Sequence, residues 1–186
     1  QDPGNVLLSD SSSKMAQMLE DFRLENLPVI IFANIRGFSG DTTQMFRSIL
    51  THGSNIVNSL TNDGPPVYVY VPPYGTLRGG SYVVMTPTIN PQRIRLLLDP
   101  RSSVGILEGS ASSSFVWKTT DHEVLLSKCP DQQVDAREVG ELLAQAQDTP
   151  ARCVHFVPHS SILPWEHLQR DLAVKVDDFY RGQPLV

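Results

Sequence analysis

Apolar positions recur along the first 120 residues in alternating blocks of two kinds. Val29-Ile30-Ile31-Phe32-Ala33 and Val67-Tyr68-Val69-Tyr70-Val71 are short, β-branched or aromatic runs bounded by proline and turn residues. They are too short for helices and read as buried strands. Between and before them the spacing changes. Met15, Met18, Leu19 and Phe22 fall on one helical face, behind the capping serines of Ser9–Ser13, and this predicts a helix ending near Glu25-Asn26. Met45, Ile49, Ile56, Val57 and Leu60 predict one helix from about Thr42 to Asn62, interrupted by Gly53. A mid-helix glycine costs about 1 kcal/mol and permits a kink or close packing. Asn5–Leu8 is a further short strand candidate. The order strand, helix, strand, helix, strand implies parallel strands joined by right-handed crossovers, hence an α/β fold.

Regularity breaks at Pro72-Pro73-Tyr74-Gly75. Gly79-Gly80 then precede the run Tyr82-Val83-Val84-Met85. Two adjacent glycines here point to close approach of the backbone to a ligand or to another segment. Ile94, Leu96, Leu97 and Leu98 predict a strand, Gly109–Ser114 a connection, and Phe115-Val116-Trp117 a last short strand. From Asp121 the pattern is helix and loop. Val139, Leu142, Leu143 and Ala146 define an amphipathic helix over 134–147. Asp148-Thr149-Pro150 stops it. A loop with Pro158 and Pro164 leads to a final helix over 165–181 carrying Leu168, Leu172, Val176 and Phe179.

Composition narrows the classes. With 186 residues, 40% hydrophobic and 19% charged, the chain can bury a sizeable core. A net charge of −5 gives no electrostatic reason to expect nucleic acid. No apolar run approaches a membrane span. Cys129 and Cys153 form no metal-like or disulfide-dense pattern, which fits a reducing compartment. Gln1-Asp2-Pro3 is not a natural start, so a targeting segment preceding it is an open expectation.

The candidate chemistry centres on Asn34–Gly40, between the first strand and the Thr42 helix. Gly37 and Gly40 permit a tight turn, and Asp41, Thr42 and Thr43 suit a helix N-cap. Amides at such a terminus can hold a carboxylate, a phosphate or a developing oxyanion. Arg36 adds a planar fork that matches a carboxylate. An ordinary strand-to-helix turn explains the loop equally well on these grounds. Other constellations are weak. Ser39 lacks the G-x-S-x-G spacing of a hydrolase elbow. His155 and His159 have Pro158 between them and no third metal ligand. Asp99, Glu108 and Glu123 form no acid pair and read as solvated or partnered surface carboxylates.

The strings Asn34-Ile35-Arg36-Gly37-Phe38-Ser39-Gly40, Val71-Pro72-Pro73 and Leu77-Arg78-Gly79-Gly80-Ser81-Tyr82-Val83-Val84 add to this. Taken together they resemble the carboxyltransferase of multidomain eukaryotic acetyl-CoA carboxylases, whose usual strings are NWRGFSGG, IPP and LRGGSWVV. Thr88–Pro91, Val104–Glu108, Asp148-Thr149-Pro150 and Pro164-Trp165 resemble further segments of that family. The similarity is continuous from about residue 5 to 118 and patchy beyond.

The resemblance implies a crotonase-like fold of β-β-α units over residues 1–120, with a helical C-terminal extension over 121–186. It implies that the chain is the C-terminal half of the carboxyltransferase, incomplete without an N-terminal half. It further implies carboxybiotin on a carrier domain as donor, acetyl-CoA as acceptor, malonyl-CoA for fatty acid synthesis as product, and a homodimer in the full-length protein. The compartment so implied is the cytoplasm, with plastid or mitochondrion as alternatives. By the same resemblance, the Gly40 amide lines the biotin side with the Glu108 amide nearby. Arg36 recognises the transferred carboxylate, and Gly79 and Gly80 border the site with their backbone. Three departures stand out: Ile35 where the family has tryptophan, Asp41 where it has glycine, and Thr76 where it has glutamate. They motivate the alternative of a catalytically degenerate partner or regulatory module of the same fold. A half-site also predicts an apolar, glycine-bordered face left open near Arg36, Gly40 and Gly79-Gly80.

Overall fold

The computed structural model describes residues 5–106, 142 and 145–184. Its centre is a parallel sheet of strands β1 (Val29–Phe32), β2 (Val67–Val71), β4 (Ile94–Leu98) and β6 (Ser160–Ile162), in the spatial order β1-β2-β4-β6. A second, two-stranded parallel sheet pairs β3 (Thr76–Arg78) with β5 (Ser103–Gly105). Isolated bridges Leu7–Phe38 and Ile35–Leu77 extend that small sheet back to the N-terminal segment. The strand expected over 5–8 is thus a single bridge.

The central strands are buried along their whole length. This is why β2 and most of β4 read as unbroken apolar runs rather than as an alternation. Alternate residues serve two cores. Val67, Val69, Val71, Ile94, Leu96 and Leu98 pack with Ala16 and Leu19 of helix α1 (Ser9–Leu24) and with Ile56 and Leu60 of helix α3 (Ile49–Thr61). Tyr68, Tyr70 and Leu97 pack with Leu163 and with Leu168 and Leu172 of the last helix, α6 (Leu168–Tyr180). The two buried phenols donate to backbone carbonyls, Tyr68 to Lys175 and Tyr70 to Leu163, each at 3.3 Å. Burial and the nearby Asp99 charge push the Tyr70 hydroxyl up to about 12.

Several expectations change at this level. The single helix over 42–62 is two: α2 (Thr42–Phe46) and α3. The break is at Ser48, which adopts φ +66° and donates its amide to the Met45 carbonyl at 3.1 Å. Gly53 does not break α3; it lies against the ring of Phe38. The run 82–85, to which the sequence assigns no element, is the end of helix α4 (Gly79–Met85). The loop expected around Pro158 and Pro164 contains β6, which completes the main sheet, preceded by helix α5 (Pro150–Phe156). Of the helix expected over 134–147, residues 142 and 145–147 are helical. The remainder of that helix and the strand expected at 115–117 lie outside the described residues, as does the boundary at 120. Among the described residues no helix is long and apolar enough to cross a membrane.

Asp99 is not a surface carboxylate. Its side chain is fully buried beyond the end of β4, accepting from the Arg101 guanidinium at 3.0 Å, the Arg101 amide at 2.9 Å and the Trp165 amide at 3.0 Å. It therefore ties the chain entering α6 to the main sheet. The Arg101 guanidinium first, and then the two amides, hold its carboxyl below the ordinary carboxylate range. A depressed native pKa contributes stability that is present above the unfolded value and is lost as pH falls through the native one. We expect the wild-type chain to lose stability steadily below about pH 4, and Asp99→Asn to be less stable at pH 7 with a flatter acid limb. Urea unfolding at pH 3, 5 and 7 checks this. Parallel acid limbs in the two proteins would contradict it.

Candidate active site at the meeting of two glycine loops

The Arg36–Gly40 loop leaves β1 and enters α2, as the hydrophobic pattern predicts. Its backbone is fixed from both sides. The Arg36 amide donates to the Asn5 carbonyl at 2.8 Å, the Ser39 amide to Leu7 at 2.9 Å, and the Leu7 amide to Gly37 at 2.8 Å. On the other flank the Ile35 amide donates to Thr76 at 2.7 Å and the Arg78 amide to Ile35 at 2.9 Å. The loop is therefore a rigid shelf, although Arg36 and Gly40 are exposed.

The second loop meets the first backbone to backbone. Gly79 opens α4 at φ +57°, and a Cβ there would lie 3.3 Å from the Arg36 carbonyl oxygen. Gly37, at φ +129°, faces the Arg78 carbonyl and the Gly79-Gly80 backbone at 3.8–3.9 Å. Both positions need glycine for their positive φ, and at Gly79 the Arg36 carbonyl adds a tight neighbour as a second reason. A Cβ on Gly80 would stand 3.0 Å from the Phe38 ring. Ser81 Oγ locks the junction by donating to the Arg78 carbonyl at 2.6 Å and to Ile35 at 3.3 Å. Gly79 and Gly80 occupy the first turn of α4, where backbone amides have no intrahelical acceptor. The Gly79 amide is used by the Ile106 carbonyl at 3.0 Å.

The structure thus brings Arg36, Gly79 and Gly80 together, and Gly40 shares the lining of a cavity with Phe38. Phe38 is the residue that sequence reasoning missed. Its ring lies between Gly53 of α3, where a Cβ would be 3.5 Å away, and Gly80. Two glycines far apart in sequence, at 53 and 80, lie against one aromatic side chain; that shared neighbour is invisible to spacing. Beside it opens an apolar cavity of about 290 Å³ whose lining includes Phe38, Gly40, Leu50 and Val84. Nothing approaches Gly40 within 4 Å of where a Cβ would stand, so this turn is open to a ligand. Met45, Phe46, Leu50 and Val83 are exposed. A larger groove of about 900 Å³ lies elsewhere, between β1 and α6.

Asp41 holds the N-cap position of α2, but its side chain caps no amide. Its own amide donates to Ser39 Oγ at 3.3 Å. An exposed carboxylate therefore sits one residue from Gly40. Ile35 is half-buried as a bridge partner of Leu77, and Thr76 Oγ1 is buried with no hydrogen-bond partner. Glu108 lies outside the described residues.

A rigid turn left open at Gly40, an arginine beside it and an adjoining apolar cavity suit an anionic group carried on an otherwise uncharged ligand. Comparison with known proteins gives that class a family. The family model of the carboxyl transferase domain matches residues 1–155, and the chain belongs to that family. The chain is 45% identical over 116 residues to mitochondrial acetyl-CoA carboxylase of Saccharomyces cerevisiae, covering 62% of this chain and 5% of the relative. It is 41% identical over 127 residues to acetyl-CoA carboxylase of Schizosaccharomyces pombe, covering 68% and 6%. The chain thus spans a small fraction of the relatives it matches. Among solved structures, it superposes on the β subunit of Pseudomonas aeruginosa geranyl-CoA carboxylase with a TM-score of 0.74 at 16% identity. That match covers 98% of this chain and 34% of the subunit. It superposes on transcarboxylase 12S, with methylmalonyl-coenzyme A bound, with a TM-score of 0.77 at 15% identity, covering 97% and 32%. The crotonase-like fold implied by the sequence is the fold these carboxyltransferases share with it.

Proposed function

We propose that this chain is the C-terminal half of the carboxyltransferase of an acetyl-CoA carboxylase, moving a carboxyl group from carboxybiotin to acetyl-CoA to form malonyl-CoA. The observation that carries the reading is the contact of the Arg36–Gly40 shelf with the Gly79-Gly80 helix start, in a chain of the carboxyl transferase family. Biotin, on a carrier domain outside this chain, supplies the carboxyl group and, once released, a base for the methyl proton. The open Gly40 turn fits the ureido oxygen of that group. Its amide, and that of Glu108 by family resemblance, would hold the negative charge that develops there. One preorganised donor of this kind is worth about 3 kcal/mol. Arg36 would grip the carboxylate in transit through two parallel hydrogen bonds, and Gly79 and Gly80 would let the acyl thioester approach the backbone. No side-chain general base is required of this chain. Methylmalonyl-coenzyme A in transcarboxylase 12S supports an acyl-CoA acceptor.

The reading assigns as partners the N-terminal carboxyltransferase half, the biotin carrier and a second copy of the full-length protein. Of the three compartments considered, the name of the yeast relative supports the mitochondrion.

Asp41 and Ile35 favour a second reading, a degenerate module that keeps the fold. A carboxylate beside the anion site opposes the charge that Gly40 would stabilise. The assembled enzyme separates the two readings. With this chain unaltered, label should pass from carboxybiotin to acetyl-CoA, and Ile35→Trp with Asp41→Gly should change the rate by less than about tenfold, or ~1.4 kcal/mol. No transfer by the unaltered chain, with clear transfer by the double variant, would establish the degenerate module instead.

A further inference from the structure

We propose that the buried ion pair between Arg78 and Asp148 is a positioning device. It sets the Gly79-Gly80 backbone that borders the site, and through it the rate of carboxyl transfer, without touching either substrate. The proposal rests on the site reading above. Arg78 is the residue from which α4 starts, with extended backbone (φ −137°, ψ 167°), and Gly79 turns at φ +57° directly after it. Any shift of the Arg78 backbone is therefore passed to Gly79 and Gly80. The Arg78 side chain is only 11% exposed, and its Nη1 donates to Asp148 Oδ2 at 2.6 Å.

Asp148, 13% exposed, is itself held on three sides. Its carbonyl accepts the Val104 amide at 3.0 Å, and its amide donates to the Gln145 carbonyl at 3.3 Å. Its Oδ1 lies only 2.5 Å from where a Cβ on Gly105 would stand, which excludes any larger residue there without movement. The next residue, Thr149, caps α5 by accepting the Arg152 amide at 3.4 Å. Asp148 thus pins β5 and Arg78 together. One residue past Gly105, the Ile106 carbonyl accepts the Gly79 amide. Two separate constraints, one through the Arg78 side chain and one through β5, converge on Gly79.

The pair brings no net charge to the site, so its influence is geometric. A buried ion pair contributes little stability over an apolar pair of similar volume, and fixing one arrangement is among the uses to which such pairs are put. Transfer between bound groups is steeply sensitive to their placement, and about 1 Å of misplacement can cost roughly a hundredfold. This gives a physical reason for an arginine before the glycine pair and an aspartate seventy residues later.

The test uses the assembled carboxylase containing this chain, in three variants: Arg78→Met with Asp148→Leu, which replaces the pair by an apolar one; Asp148→Asn, which keeps the shape; and Arg36→Ala as a control. We expect the apolar pair to keep the melting temperature within a few degrees, and KM for acetyl-CoA within about twofold, while kcat falls by about tenfold or more. Asp148→Asn should show the same split to a lesser degree, and it decides by the same criterion if the apolar pair does not fold. A wild-type kcat in a folded variant, or a fall in kcat matched by loss of folded protein, overturns the proposal. If Arg36→Ala lowers kcat and the folded pair variants do not, the proposal alone fails. If Arg36→Ala leaves kcat unchanged, the site reading fails and takes the proposal with it.

Discussion

Replacing Arg36 by alanine in the assembled enzyme should lower kcat for carboxyl transfer by about a hundredfold, close to 2.7 kcal/mol of transition-state stabilisation. The side chain stands on the solvent side of a shelf whose backbone is bonded to Asn5 and, through its neighbours, to Leu7 and Thr76. The backbone anchors do not involve the guanidinium, and the side chain is exposed, so the fold should survive the change. What is lost is a charge-assisted, two-point grip on a carboxylate during its transfer. Arg36→Lys should recover only part of the rate, because an ammonium offers one contact where the guanidinium offers a fork. Steady-state kinetics with thermal melts on both variants check this. A rate unchanged in Arg36→Ala would remove Arg36 from the assigned role.

The legible parts of the fold were those in which local pattern and tertiary environment agree. β2 and β4 are buried on both faces, so their apolar runs could hardly be anything but central parallel strands. α1 shows its core face through Leu19, with Met15 and Phe22 packed beside it. The turn at Gly40 lies at the strand-to-helix junction where glycine and capping residues placed it, though the Asp41 side chain does not cap. Illegible features depend on partners distant in sequence. Ser48 takes a left-handed conformation that an apolar pattern cannot signal, and α2 and α3 part there. β6 is Ser-Ser-Ile, polar enough to read as loop, and it is a strand because β4 offers it an edge. Asp99 is buried because Trp165, sixty-six residues on, donates to it. In the site, family strings marked Arg36, Gly40 and the Gly79-Gly80 pair. They did not show that Phe38 packs between Gly53 and Gly80, nor that Asp148 reaches Arg78.

The central claim is that this chain holds one half of a transfer site, and activity on joining tests it most directly. In the isolated chain Arg36, Gly40 and Gly80 are exposed, and so are the neighbouring Phe46, Leu50 and Val83. Amides that face bulk water stabilise a developing charge far less than the same amides in a closed, low-dielectric site. The cavity beside Gly40 is lined by Phe38, Leu50 and Val84. The measurement is malonyl-CoA formed from acetyl-CoA and carboxylated biotin carrier, with the isolated chain, the N-terminal half, and the two joined, at equal protein concentration. The account predicts product at background for each half alone and well above background for the joined protein. Equal rates from the isolated chain and the joined protein would contradict it, as would a folded, joined protein that forms none.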